Sequence, residues 1–285
     1  MQTTQQAYIF LYWLAFCGLI MASVVYAMQI TRRTKASVPY ARMLSAISWL
    51  LLTVSIYFAS RYHGGTPLTG PNQLVLLAWA VILLYFLFEY LLKFRRYGSA
   101  LIPLAALLLF IAQILPAQRG NLAPYVETIS AQMDSAMISF HVLLIVFANA
   151  LLLIGSVTAA LYLYQDWALR NHKNTSLSRA LPPLANIKKL WTRVLSIGLP
   201  IYFAGQLLGV TRAIVVDAQG WYFDIRIVLS GAVLIVFTVA LLLYYRGRTA
   251  TVPIARLSIV GALLILVLMI VARVLPVGFH IFGVL

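Results

Sequence analysis

His63, His141 and His280 each fall at the end of an apolar span, at ends that the charge pattern assigns to one side of a membrane. The fourth histidine, His172, sits in a basic loop on the other side. Imidazole is a strong metal ligand and titrates near neutrality. His141 lies about one turn inside its span, in Ile-Ser-Phe-His-Val-Leu-Leu, where an ionisable group is costly and is a functional candidate by default. Its competing reading is a hydrogen-bonded helix–helix contact. His280 follows Pro276 and Gly278 in Val-Gly-Phe-His-Ile-Phe-Gly, within an apolar tail that has reason to lie against the same face. His63 is a secondary candidate in a Gly- and Pro-rich stretch, 61–72, and reads equally as a solvated surface residue. His172, in Arg-Asn-His-Lys-Asn, reads as solvated.

Charges on the histidine side narrow the ligand. That side keeps five arginines (Arg61, Arg119, Arg212, Arg226, Arg273), no lysine, and the acids Glu127, Asp134, Asp217 and Asp224. Arginine presents a planar fork suited to carboxylates, where lysine offers a point charge. Phe140, Trp221, Tyr222, Phe223, Phe279 and Phe282 fall at the same level. Imidazoles, aromatic surface and carboxylate partners together fit haem, an apolar macrocycle with two propionates. Two imidazoles on one iron each sit about 2 Å from it, so the start of the fifth span and the tail after the eighth must meet over a common cleft. Burying several hundred Å² of macrocycle is worth on the order of 10 kcal/mol before costs. His141 and His280 are then the leading candidates to hold the haem iron, and Arg212, Arg226 and Arg273 stand at the level of its propionates. The plain alternative for each arginine is an anchor at the headgroups or a partner for a nearby acid. Chemistry would come from the cofactor, with the protein supplying orientation and electrostatics.

The elements that position these residues follow from hydropathy. The chain is 63% hydrophobic and 9% charged, with mean hydropathy +0.94. No soluble domain of this length hides so much apolar surface. About 20 apolar residues cross a bilayer, and eight stretches qualify: 8–30, 39–60, 73–92, 99–116, 137–163, 194–214, 226–245 and 257–275. In lipid each must be a helix. The first is too long, and too poorly flanked by basic and small residues, to read as a cleavable signal. The expected fold is all-α, a polytopic helical bundle forming a single integral membrane domain over 1–285. Cys17 stands alone in the first span, so there is no internal disulfide and no Cys-x-x-Cys, and it reads as a small packing residue.

Sixteen of the 21 Lys and Arg lie on one side. They are Arg32, Arg33, Lys35 and Arg42; Lys93, Arg95 and Arg96; Arg170, Lys173, Arg179, Lys188, Lys189 and Arg193; and Arg246, Arg248 and Arg256. The positive-inside rule makes that side cytoplasmic and puts both termini outside. The net charge of +15 is thus a topology signal, split among short loops without an aromatic stacking platform, and nucleic-acid binding is excluded. Between the fifth and sixth spans, 164–193 reads as a short interfacial helix, a turn at Leu181-Pro182-Pro183-Leu184 and a second interfacial helix.

The residues from about 55 onward resemble the cytochrome c assembly superfamily of haem-handling membrane proteins, the CcsA-like group. The resemblance rests on His63 with Pro67-Leu68 and Trp79, on Phe140-His141-Val142, and on Leu181-Pro182-Pro183-Leu184. It continues in Ile197-Gly198-Leu199-Pro200, Gly205-Gln206-Leu207-Leu208-Gly209 and Gly278-Phe279-His280. It implies that His141 and His280 are axial haem ligands flanking an external tryptophan-rich segment that ends in Trp-x-Trp-Asp. Here that segment is degenerate: Trp221 and Asp224 survive, Phe223 replaces a tryptophan and Asp217 stands at the earlier one. Where the group has an inner histidine, Tyr244 and Tyr245 stand.

The sequence therefore points to a haem-handling protein of cytochrome c biogenesis in a bacterial plasma membrane, presenting haem at the outer face. Its expected partners are an apocytochrome c, a membrane partner subunit and the lipid bilayer. The reaction served would be haem attachment, with the lyase chemistry left open by the degenerate segment. Two alternatives stand beside it: a haem-binding structural or electron-transfer subunit without lyase activity, and an unrelated transporter.

Overall fold

Apolar runs in lipid can satisfy their backbone polar groups only by coiling, and this chain does so almost throughout. The computed structural model describes residues 2–32, 38–63, 72–92, 97–115, 135–215, 221–247 and 249–274. Nine α-helices fall within them: α1 (Gln2–Arg32), α2 (Val38–His63), α3 (Gln73–Leu92), α4 (Gly98–Ile114) and α5 (Ser135–Arg170), then α6 (Ser176–Ala180), α7 (Leu184–Val215), α8 (Ile225–Arg246) and α9 (Thr251–Val274). A 3₁₀ turn, Trp221–Phe223, precedes α8. Seven of the helices are long and apolar enough to cross a membrane. The eighth apolar helix, α4, has 17 residues, at the short end of the spanning range. The protein is a polytopic helical bundle.

Two boundaries differ from the sequence reading. Helix α2 runs through His63, so that residue closes a helix and does not open a loop. The two interfacial helices expected in 164–193 are mostly extensions of the spanning helices: 164–170 continues α5 and 184–193 begins α7, leaving the five-residue α6 between them. Once nucleated, a helix costs little to extend past the bilayer. Local signals set the breaks. His172 takes φ 51, and Lys173 N–H reaches back to the Ala168 carbonyl at 2.8 Å, closing α5 in a left-handed turn. Thr175 caps α6 by accepting from Ser178 N–H, and Pro183 stands just ahead of α7 with its carbonyl accepting from Asn186 and Ile187.

Periodicity decides which faces pack. On α1 the buried residues are Tyr12, Ala15, Leu19, Ala22 and Tyr26, while Phe10, Trp13, Met21 and Val24 are exposed. Cys17 falls on the exposed face, so it is not the packing residue expected. Large apolar side chains on such outer faces call for lipid. Helix α1 packs on α2 and α4, and α3 on α4. Helix α5 packs on α7 and α9, α8 packs on α9 and α7, and α3 against α5 joins the two halves.

Contacts between helices pair residues of equal depth. At one end Arg42 meets Glu89, Tyr26 meets Tyr85 (2.8 Å), Lys188 donates to Thr251 (3.0 Å) and Ser196 bonds Tyr245 (2.8 Å). At the other end Tyr12 donates to the Leu109 carbonyl (2.6 Å), Ser55 to that of Tyr8 (2.8 Å) and Asn72 to that of Ala112 (3.3 Å). Arg42, Arg170, Lys188, Lys189, Arg193, Arg246 and Arg256 thus share the first, basic end. Arg61, His63, His141, Arg212, Arg226 and Arg273 belong to the opposite end.

Helices α5 and α7 pack closely along their length. Side chains of α5 lie directly over glycines of α7, Ile145 over Gly205 and Leu151 over Gly198, while Leu195 of α7 lies over Gly155 of α5. A methyl group added at any of these glycines would come within 3.0 Å of its neighbour. Small residues let helix backbones approach where lipid supplies no hydrophobic drive. The same antiparallel register carries His141 onto Gly209.

Candidate functional site

At the end opposite the basic loops, α3, α5, α7, α8 and α9 leave a cleft. It holds about 600 Å³ of open space including its mouth, and Gln73, His141, Gln206, Gly209, Arg226 and Met269 are among its walls. A smaller recess of about 330 Å³ shares Gln73, His141, Ile145 and Met269 and runs along α5 to Asn149, two turns further.

His141 is half-buried in this wall. Its Nδ1 lies 2.8 Å from the carbonyl oxygen of Gly205, and its ring lies where a side chain on residue 209 would be. The contact reading of this histidine and the ligand reading meet here: the imidazole bonds a neighbouring helix and also lines a cavity.

Arg226 enters from α8, donating through Nη2 to the Ala272 carbonyl at 3.2 Å. Its backbone N–H donates to Asp224 Oδ1 at 2.9 Å. Asp224 is the N-cap of α8 and is buried. Its own N–H bonds the Trp221 carbonyl at 3.1 Å. The aspartate therefore ties the 3₁₀ turn to the helix that carries Arg226. Further along α8, Ser230 donates to Gln206 Oε1 at 2.9 Å, joining α8 to α7 across the cleft wall.

The other residues singled out in the sequence are placed less centrally. Arg212 and Arg273 are half-buried at the ends of α7 and α9, at the level of the cleft but outside the set that lines it. Trp221 is half-buried in the turn before Asp224 and is likewise outside the lining, while Tyr222 and Phe223 are exposed. Phe140 is 56% exposed and does not wall the cleft as expected. It sits one residue before His141, about 100° around the helix, so the packing that buries one turns the other out. His63 ends α2 at this end of the bundle, and its side chain lies outside the described residues. His280, Phe279, Phe282 and Asp217 also lie outside them. Tyr244 and Tyr245 belong to the basic end, where Lys188 Nζ sits 5.5 Å over the Tyr244 ring. Trp79 stacks on Trp49 at 5.6 Å and donates to Thr53 Oγ1 at 2.9 Å, a packing role away from the cleft.

Three polar residues of the site carry no mark in the sequence, Gln73, Ser230 and Asn149, and Gln206 is marked only as part of a motif. Their signal is polarity inside apolar spans, weaker than that of an ionisable group. Asn149 is 1% exposed, and its Oδ1 has no hydrogen-bond partner among the described residues.

The donor set fits haem. A carbonyl can only accept, so the 2.8 Å contact places the proton on His141 Nδ1 and, in the neutral ring, leaves the basic lone pair on Nε2. That is the state in which imidazole binds iron. Arg226 supplies a cation at the rim, and Ile145, Leu268 and Met269 supply apolar wall.

Comparison with known proteins gives the family. The profile of the cytochrome C assembly protein family matches residues 68–280, a range that takes in α3 to α9 and both His141 and His280. The chain is 25% identical over 142 residues to Protein HemX of Brevibacillus brevis, covering 50% of this chain and 52% of that protein. It is 26% identical over 193 residues to cytochrome c biogenesis protein CcsA of Chlamydomonas reinhardtii, covering 66% of this chain and 52% of that protein. The chain spans about half the length of the curated relatives it matches. With more than half of its own length inside the family's profile, the chain belongs to the cytochrome c assembly protein family.

Proposed function

We propose that this protein holds haem in the cleft at the end of the bundle opposite the basic loops and presents it for cytochrome c maturation. His141 would hold the haem iron together with His280, from the segment after α9. Arg226 faces a propionate, with Arg212 and Arg273 as further cations at that level. Bound haem supplies the vinyl groups that an apocytochrome's cysteines take up. The chain's own residues bind, orient and partly desolvate it. The observation that carries this reading is His141: a ligand-competent imidazole, lining a cleft beside a cation, within the stretch that matches the family.

The concentration of Lys and Arg at the other end supports placing that end in the cytoplasm and both termini outside, in a bacterial plasma membrane. An apocytochrome c and a membrane partner subunit are the proposed partners. A second reading, a haem-binding structural or electron-transfer subunit without attachment chemistry, is favoured by the degenerate tryptophan segment, of which Trp221 and Asp224 remain.

The test is the visible spectrum of the protein purified in detergent from haem-sufficient cells. His141→Ala and His280→Ala should each abolish or strongly shift the Soret band. A wild-type protein without haem overturns the reading. Rescue of c-type cytochromes in a strain lacking the native assembly protein separates the first reading from the second.

A further inference from the structure

We propose that the Gly205–Gly209 turn of α7 is a seat that fixes the plane and tautomer of His141. The proposal rests on His141 being the haem ligand, but its structural half can be tested without haem. In an α-helix each Cβ leans toward the N-terminus, so a side chain at position 209 would lie over the turn that contains the Gly205 carbonyl. That carbonyl has two lone pairs, and helix pairing uses one. With glycine at 209 the second is open to a neighbouring helix, and His141 takes it at 2.8 Å. A Cβ at 209 would stand 2.7 Å from His141 Cε1 and 3.3 Å from Nδ1. The ring and that methyl group exclude each other.

Two consequences follow. The Nδ1 proton is held by a backbone acceptor that no side-chain rotamer can withdraw, so the lone pair for iron is on Nε2. The ring is also held in one plane by Gly209 beneath it, and contacts of this kind behind a metal ligand tune its basicity and orientation. Gly205 and Gly209 are thus positioning residues; neither needs to touch haem. Gly205 has a structural duty as well, since its own Cβ would stand 2.8 Å from Ile145 Cδ1. Gly209 is the residue that addresses the imidazole.

The experiment uses the full chain in detergent, free of haem, with ¹⁵N-labelled histidine, and His141→Gln to assign the resonance. Wild-type His141 should show a protonated Nδ1 and an unprotonated Nε2 near pH 8. Gly209→Ala should shift it toward the Nε2–H form. Gly198→Ala, which crowds Leu151 Cβ at 2.9 Å in the same helix pair, should leave it unchanged. On titration with haem, Gly209→Ala should bind about 10–100-fold more weakly than Gly198→Ala. An Nε2–H tautomer in the wild type overturns the seat and needs no variant to fold. So does a Gly209→Ala protein that keeps Nδ1–H, or one that binds haem as tightly as Gly198→Ala. Haem binding undiminished in His141→Gln overturns the ligand reading instead, leaving the tautomer result standing.

Discussion

Asp224 is the one acid that survives from the tryptophan-rich segment, and the structure gives it a definite task that substitution can separate from ligand contact. Its Oδ1 accepts from Arg226 N–H at 2.9 Å as the N-cap of α8, and only 7% of the residue is exposed. Replacing a capping aspartate by alanine costs about 0.5–2 kcal/mol. Losing a negative charge at a helix N-terminus adds roughly 0.3–1 kcal/mol. Asp224→Ala should therefore lower stability by about 1–3 kcal/mol. Asp224→Asn keeps a capping oxygen and loses only the charge, so its cost should be about 0.3–1 kcal/mol. Both numbers are measurable by thermal or denaturant unfolding in a fixed detergent, with haem counted per folded protein. If the aspartate serves the site by holding α8 and Arg226 in place, haem occupancy should track stability: near normal in Asn, reduced in Ala. Equal, large losses of haem in both variants, with the Asn protein as stable as wild type, would refute the capping argument and make the carboxylate a direct partner of the ligand.

Two further outcomes are expected. His172, held at φ 51 where α5 closes, should gain about 1 kcal/mol on replacement by glycine, which carries no left-handed penalty. The Soret band should not move; a lost band would mean that the basic end reaches the haem. Asn149→Leu removes a buried amide whose oxygen lacks a partner among the described residues, so the haem-free protein should be as stable or up to about 2 kcal/mol more stable. Destabilisation beyond about 1 kcal/mol in unfolding assays would show that the amide is engaged.

The apolar runs dictate most of the fold, because lipid leaves a long apolar segment only helical ways to satisfy its backbone. The helix ends beyond the bilayer were harder to read. Tyr164-Gln165-Asp166 looks like an exit from the membrane, yet α5 carries on to Arg170 because a helix need not stop where the lipid does. At the site, His141 and Asp224 were legible from chemical type: one is costly in a span, the other opens an apolar helix. The cleft itself was not, since five helices contribute to it and hydropathy says nothing about which helices are neighbours. Gly209 was visible as part of a motif but mute as to purpose; its meaning comes from a side chain 68 residues away. Phe140 shows the opposite error, an aromatic chosen for its depth along the helix and lost to its angle around it.

Helices α5 and α7 have 36 and 32 residues, about 54 and 48 Å at 1.5 Å per residue. A bilayer with its headgroups is about 40–45 Å thick. Rods of that length must tilt or protrude, and two rods packed glycine to side chain along a shared face cannot choose separately. A lean imposed where the basic extensions meet the aqueous phase is therefore shared by both helices on its way to His141 at the far end, with Pro200 the point at which α7 can bend. The imidazole and the turn beneath it travel together, while α8, with Arg226, meets this pair through fewer close contacts. Leverage on the basic platform would change the gap between imidazole and arginine without disturbing the geometry of the imidazole itself.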